Sequence, residues 1–345
     1  MALNDEIAEQ PEVAARLLAE APADLAPLAA AAREMGIEYV MFAARGTSDH
    51  AATYGQYALG SVSRLPVALA APSLFSRYET PPRLGRALVV GISQSGRSPD
   101  VIAVVTEARR QGALTAAITN EPESPLAEAA AHVVPLRAGQ EASIAATKTY
   151  TAELMAVAML AGELATDPAA TQALARVPGV MRDALAVADA ATQLADRHRS
   201  MEESVVLGRG FNLSTALEWA LKLKELAYVR AQGYSSADFQ HGPVASLPPG
   251  GHVLAIRAAG PLAADLATLF DRLEREQGVK LLLVAGADGA RPAGSDLLPF
   301  PDVLPEWLSP LIAILPAQLF CLGLARAKGL DGEQPRGLSK VTLTN

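Results

Sequence analysis

Six short runs along the chain are apolar almost without interruption: residues 39–44, 87–92, 115–118, 204–208, 253–256 and 280–284. Unbroken apolar runs of this length predict strands covered on both faces, as in a parallel sheet. Helical patterns follow the first two runs of each set, at 51–59, 101–110, 216–229 and 262–276. Strands alternating with helices predict right-handed βαβ units. The fold class is therefore α/β, with two tandem doubly wound parallel sheets in three-layer αβα, flavodoxin-like or Rossmann-like domains.

The two sets of runs match each other. Arg45-Gly46 and Arg209-Gly210, each at the end of a run, stand 164 residues apart, as do Gly96 and Gly260. The pattern predicts N-terminal helices over 1–35, with Pro11 near a start and Gly36 near a stop. A first domain is expected at 36–165, an alanine-rich helical connection at 166–198, a second domain at 199–330 and a C-terminal tail at 331–345.

The turn after the second run reads Ser93-Gln94-Ser95-Gly96-Arg97-Ser98, and Pro99-Asp100 then opens a helix. A strand, a hydroxyl-rich turn and a helix start together make a cradle for a phosphate group. An ordinary well-capped polar loop has the same composition. No P-loop or dinucleotide fingerprint follows a strand here, so the cradle suits a phosphate monoester better than a nucleotide. The matching turn of the second set is Arg257-Ala258-Ala259-Gly260, so only the first copy is expected to hold phosphate.

Residues 213–230 form the strongest helical pattern. Glu218, Lys222 and Glu225 share one stripe between two apolar ones. Such a stripe is either a solvated ion-pair edge or, given its flanks, directed into a cleft, where a partly buried glutamate serves as a base. His241 precedes Gly242-Pro243 on a sharp turn, where an imidazole either exchanges protons or bonds its own backbone. In the tail, Leu338, Val341 and Leu343 predict docking. Lys340 is then within reach of a site as a cation or amine nucleophile, where by itself it would be an exposed lysine.

Composition narrows the classes. Half of the 345 residues are hydrophobic, aromatics are 5%, and the formal net charge is −8. No basic cluster points to a nucleic-acid partner. The single cysteine, Cys321, excludes an internal disulfide, and the histidines lack metal-ligand spacing. No signal core precedes the acidic start, which predicts a cytoplasmic protein. The long apolar run 308–325 is interrupted by Pro310, Pro316 and Gly323, which predicts a buried helix pair rather than a membrane span.

In this order and at these spacings, several motifs resemble the sugar isomerase (SIS) domain family. They are Arg45-Gly46-Thr47-Ser48, the 93–98 turn, Ala145-Ala146-Thr147-Lys148, Ala220-Leu221-Lys222-Leu223-Lys224-Glu225, His241-Gly242-Pro243 and the 335–340 segment. The resemblance runs from Glu6-Ile7-Ala8-Glu9-Gln10-Pro11 to the tail. It is to the isomerase domain of glucosamine-6-phosphate synthase (glutamine–fructose-6-phosphate aminotransferase) and, among stand-alone members, to the glucosamine-6-phosphate deaminases, whose loop Ala145–Lys148 looks more like.

The resemblance implies roles. Gly46, Thr47, Ser48, Ser93, Gln94, Ser95 and Ser98 fall in the phosphate-binding motifs, and Glu141, Ile144 and Ser339 line the sugar pocket. Glu225 is the base between C1 and C2, with Lys222 beside it. His241 opens the sugar ring from the neighbouring subunit of a homodimer, and Lys340 approaches the open-chain carbonyl. Arg97 stands where the synthase commonly has an acidic residue; it either strengthens anion binding or faces solvent. The chain lacks the N-terminal cysteine of a glutaminase domain. The expected activity is therefore conversion of glucosamine 6-phosphate to fructose 6-phosphate and ammonia, with no cofactor or metal. Hexose or hexosamine 6-phosphates are the expected ligands, with no nucleic-acid or membrane partner. The alternatives are another aldose–ketose isomerase or deglycase, an aminotransferase subunit that borrows a glutaminase, and a sugar-phosphate sensor.

Overall fold

A computed structural model describes residues 2–287 and 291–340. The chain divides into two compact units. One comprises Glu12–Glu141, Lys148–Ala175 and Ser339–Asn345; the other comprises Met1–Pro11, Ala142–Thr147 and Arg176–Leu338.

The first unit is built on β1 (Tyr39–Ala43), β2 (Val67–Leu69), β3 (Ala87–Ile92), β4 (Leu114–Thr119) and β5 (His132–Pro135). These strands are all parallel and lie in the order β2-β1-β3-β4-β5. Every residue of β3 and β4 is buried, as unbroken apolar runs require. Val89 and Ala117 form a core cluster with Val101, Val104 and Val105, from one stripe of the helix Pro99–Arg110. The helix Lys148–Ala165 packs against the helices Thr47–Ala58 and Pro22–Glu34.

The second unit carries β6 (Glu203–Gly208), β7 (Arg230–Ser235), β8 (His252–Arg257), β9 (Lys280–Ala285) and β10 (Asp296–Pro299). They too are parallel, in the order β10-β9-β8-β6-β7. Read from its other edge, this is the order of the first sheet. In each sheet the chain leaves the first strand to one side and later returns to its other side. The gap between the carboxyl ends of β1 and β3, or of β6 and β8, is the switch point where doubly wound sheets bind ligands.

The apolar run near the C-terminus is one helix, Ser309–Ala327, with Pro316 inside it, and not the expected pair. Pro316 removes one backbone donor, but neighbouring packing holds the helix together. Among the described residues this segment, with the turn ahead of it, is long and apolar enough to cross a membrane. Yet 94% of its most apolar window is buried inside the protein, against helices Ala188–Arg197 and Leu213–Ala227. Cys321 is buried on it, which pushes its thiol pKa up.

Candidate active site

In the first unit two turns leave the carboxyl ends of adjacent strands. β1 pairs with β3 up to Ala43 opposite Gly91, so the turns at 44–46 and 93–98 emerge side by side. Gly46 has φ 55° and caps the helix Thr47–Ala58, a conformation that favours glycine. Thr47 and Ser48 begin that helix; the Ser48 hydroxyl donates to the buried carboxylate of Glu153 at 2.7 Å. Arg45 crosses to the next turn, with Nε 2.6 Å from the Asp100 carboxylate.

The 93–98 turn is tightly pinned. Gly96 N–H donates to the Ser93 carbonyl at 3.1 Å, Asn120 N–H to the Gln94 carbonyl at 3.0 Å, and Leu126 N–H to the Gly96 carbonyl at 3.0 Å. Gly96 has φ 62°, and a Cβ there would stand 2.0 Å from Ser124 Oγ. The Ser98 side chain does not cap the following helix; its hydroxyl lies 3.4 Å from that of Ser93. The helix start offers fewer free donors than a bare terminus. Pro99 has no N–H, and the Val101 N–H donates to the Asp100 carboxylate at 3.0 Å. An anion at this turn would meet chiefly its hydroxyls and amides and the nearby cations.

Those cations surround one opening. A cavity of about 390 Å³ is lined by Gln94, Ser95, Arg97, Arg137, Glu141 and Lys340, together with parts of the loops after β4 and β5. Gln94 and Ser95 come from the turn, Glu141 from the loop before the helix Lys148–Ala165, and Lys340 from the tail. Ser93, Ser98 and the Gly46–Ser48 turn are not among its lining residues. Lys340 Nζ lies 2.6 Å from Glu141 Oε2. The Glu141 side chain is fully buried and also accepts from the Thr149 N–H at 3.1 Å and the Thr149 hydroxyl at 2.7 Å. Arg97 is exposed at the rim of this cavity.

Arg137 is a lining residue that the sequence did not disclose. Its guanidinium is held at 2.8 Å by Glu20 and at 2.6 Å by Asp24. It follows β5, a four-residue edge strand too short to mark the position. Of the apolar residues expected to dock the tail, Leu338 is 43% exposed, and Val341 and Leu343 lie outside the described residues; Ser339 is exposed.

In the second unit the expected stripe of the helix Leu213–Ala227 turns inward. The side chains of Glu218 and Lys222 are 0% and 1% exposed, while Glu225 reaches the surface at 19%. Lys222 Nζ lies 2.5 Å from Glu225 Oε2 and 3.3 Å from Glu218 Oε1. Burial favours a neutral amine, but the two carboxylates override it and hold the Lys222 pKa above its ordinary value. The helix ends at Tyr228 in the left-handed conformation, and packs on β6, β7 and the helix Ser309–Ala327.

His241 follows the short helix Ser236–Gln240 and is exposed. Ile144 is half-buried in the segment 142–147, which clusters with this second unit. Glu6, buried on the first helix, fixes that segment: one carboxylate oxygen accepts from the Ala142 N–H at 2.5 Å and the Ser143 N–H at 3.3 Å. The Glu6–Pro11 motif carried that residue, but its spacing gave no hint of the partner.

At the second sheet's switch-point turn one backbone donor is already taken. The Ala259 N–H donates to Asp302 Oδ2 at 2.5 Å, and Glu306 closes against Gly260. Burial raises the Asp302 pKa. A protein carboxylate thus sits on this turn's backbone, beside a cavity of about 590 Å³ lined by Arg257, Ala258, Ala259 and Asp302. Among the described residues no group of three or more His, Cys, Asp or Glu is placed to hold a metal ion.

Known proteins bear on this arrangement in two ways. The SIS domain pattern matches residues 38–162. A crystal structure from Silicibacter pomeroyi DSS-3, provisionally described as a phosphosugar isomerase, superposes with a TM-score of 0.88 at 35% identity, covering 96% of this chain and 99% of that one. The chain belongs to the SIS-domain family. The C-terminal domain of glucosamine-fructose-6-phosphate aminotransferase from Francisella tularensis gives a TM-score of 0.89 at 26% identity, covering 97% of this chain and 98% of that domain. The glutamine–fructose-6-phosphate aminotransferase (isomerizing) of Gloeobacter violaceus is 36% identical over 318 residues, 88% of this chain. The chain spans about half the length of that relative, 51%. The α/β class with two parallel five-stranded sheets is thus the SIS fold.

Proposed function

We propose that this SIS-family chain is an enzyme that deaminates and isomerises an amino-sugar phosphate, taking glucosamine 6-phosphate to fructose 6-phosphate and ammonia. The observation that carries the reading is the cavity onto which Gln94, Ser95, Arg97 and Lys340 open. A phosphorylated open-chain sugar needs an anion grip and an amine or ammonium near its carbonyl, and these residues offer both.

In this reading Ser93, Gln94, Ser95 and Ser98, with Gly46, Thr47 and Ser48, hold the phosphate. His241 opens the pyranose ring. Its exposure on a turn supports delivery to a second copy of the chain, in a homodimer that shares its sites. Lys340, Ser339, Glu141 and Ile144 bound the sugar. Glu225 takes the C2 proton, leaving an enolamine, and that proton returns at C1. The product is a ketimine at C2; water adds to it and ammonia leaves, giving the ketone. Lys222, held protonated by its carboxylates, orients Glu225. The arrangement works on a sugar fixed by its phosphate, which supplies the proximity that proton transfer needs.

The direct test is incubation of the purified protein with glucosamine 6-phosphate, measuring ammonia and fructose 6-phosphate together. Equal release of both is expected. Fructose 6-phosphate amination seen only with glutamine and a separate glutaminase would instead favour a second reading, an aminotransferase subunit, which the identity to the Gloeobacter violaceus aminotransferase supports.

A further inference from the structure

The second unit has another opening, at the end of its sheet opposite the Arg257–Gly260 turn. A cavity of about 830 Å³ is framed by the first residues of β7, β6 and β8 and by the loop ahead of β8. Ligands of doubly wound sheets gather at the carboxyl ends of the strands. This cavity lies at the amino ends instead, and none of the residues assigned above to the sugar phosphate lines it.

Its lining has two characters. Val229 and Leu247 give apolar wall, while Lys224 and Arg230 bring positive charge, that of Arg230 partly met by Glu203 at 3.5 Å. His252 also lines it. Its pKa is lowered to about 4 by burial, with help from His198 and Lys280, so it offers a neutral imidazole at physiological pH. Ser204 is 6% exposed, and its Oγ has no hydrogen-bond partner. A buried hydroxyl without a partner costs free energy unless something supplies one.

We propose that this cavity binds a small amphipathic anion: a flat apolar body carrying one carboxylate, sulfonate or phosphate group, with the charge met by Lys224 and a polar atom of the body reaching the Ser204 hydroxyl. The site also has a route to function. Tyr228 lines the cavity and ends the helix that carries Lys222 and Glu225. Its hydroxyl oxygen accepts from the Arg336 N–H at 3.0 Å, and the Arg336 guanidinium lies 4.1 Å from its ring centre. Arg336 precedes Lys340 by four residues. A ligand seated against Tyr228 acts on the end of that helix and on the start of that tail. This coupling rests on the function proposed above; the binding does not.

The test uses the full chain and 8-anilinonaphthalene-1-sulfonate, an aromatic anion, with neutral N-phenyl-1-naphthylamine as control. The sulfonate is expected to bind saturably. Lys224→Glu, a change on an exposed helix position, should weaken it by at least about tenfold while leaving the neutral probe within about twofold. Ser204→Leu, which fills the floor, should weaken both probes; if it fails to fold, Lys224→Glu decides alone. Unchanged sulfonate affinity in Lys224→Glu overturns the proposal, as does displacement of the probe by glucosamine 6-phosphate. Neither outcome depends on whether the deaminase assay succeeds.

Discussion

Lys222 places its ammonium 2.5 Å from the Glu225 carboxylate, on a helix whose charged stripe is otherwise shut away from water. The same lysine also serves Glu218, which has no exposure at all. One cation thus does two tasks: it neutralises a buried carboxylate and orients a second one that reaches the surface.

Replacing Lys222 by methionine keeps the volume and removes the charge. Glu218 is then left buried without its cation, which costs about 3–5 kcal/mol for pairs of this kind. Urea titration of the variant should show the loss, and adding Glu218→Gln should recover part of it. Because the folded pKa of Lys222 is raised, its contribution is complete below the ordinary lysine value of 10.5 and fades only as pH rises beyond it. Between pH 6 and 9 this group should add no slope to the stability curve.

Glu225→Gln keeps the shape and removes the base. A loss of about 10²- to 10⁴-fold in kcat is expected, with binding of the sugar phosphate retained. Exchange of the C2 hydrogen with deuterated solvent, followed by NMR, isolates the step. Wild-type exchange in the variant would remove Glu225 from the mechanism.

His252 should make the protein acid-sensitive. Its pKa falls to about 4 in the folded chain, against 6.5 ordinarily, so the unfolded chain binds the proton first. Stability from this group is whole above pH 6.5 and drains away as pH falls towards 4. His252→Gln should flatten the denaturation midpoint across that window; an unchanged slope would assign the acid sensitivity elsewhere.

Gly96→Ala should damage the 93–98 turn, where the proposed function seats the phosphate. An alanine at φ 62° costs about 1–2 kcal/mol by itself. Its Cβ would also collide with Ser124, at 2.0 Å from Oγ and 2.4 Å from Cβ. Lower melting temperature and a raised KM for the sugar phosphate are expected together.

The strands that anchor the site were legible because both faces of β3, β4, β8 and β9 are covered, and such burial writes an unbroken apolar run. The edge strands were not. β7 reads Arg-Ala-Gln-Gly-Tyr-Ser and is half wet, and β2 has three residues. The helix Lys148–Ala165 escaped for the opposite reason: buried on nearly every side, it has no polar stripe to give a period. The charged stripe 218–225 was readable from spacing, but its depth was not, since an ion pair on a wet edge has the same sequence. Arg137 and Glu6 act through contacts more than 100 residues distant, and no local pattern encodes those.

Asp302 takes the Ala259 backbone donor of the second sheet's turn. Two turns stand in like positions on two sheets of like order, yet the protein supplies one of them with a side-chain carboxylate from 43 residues further along the chain. An anion seated on the second turn would therefore have to displace Asp302 from the Ala259 N–H.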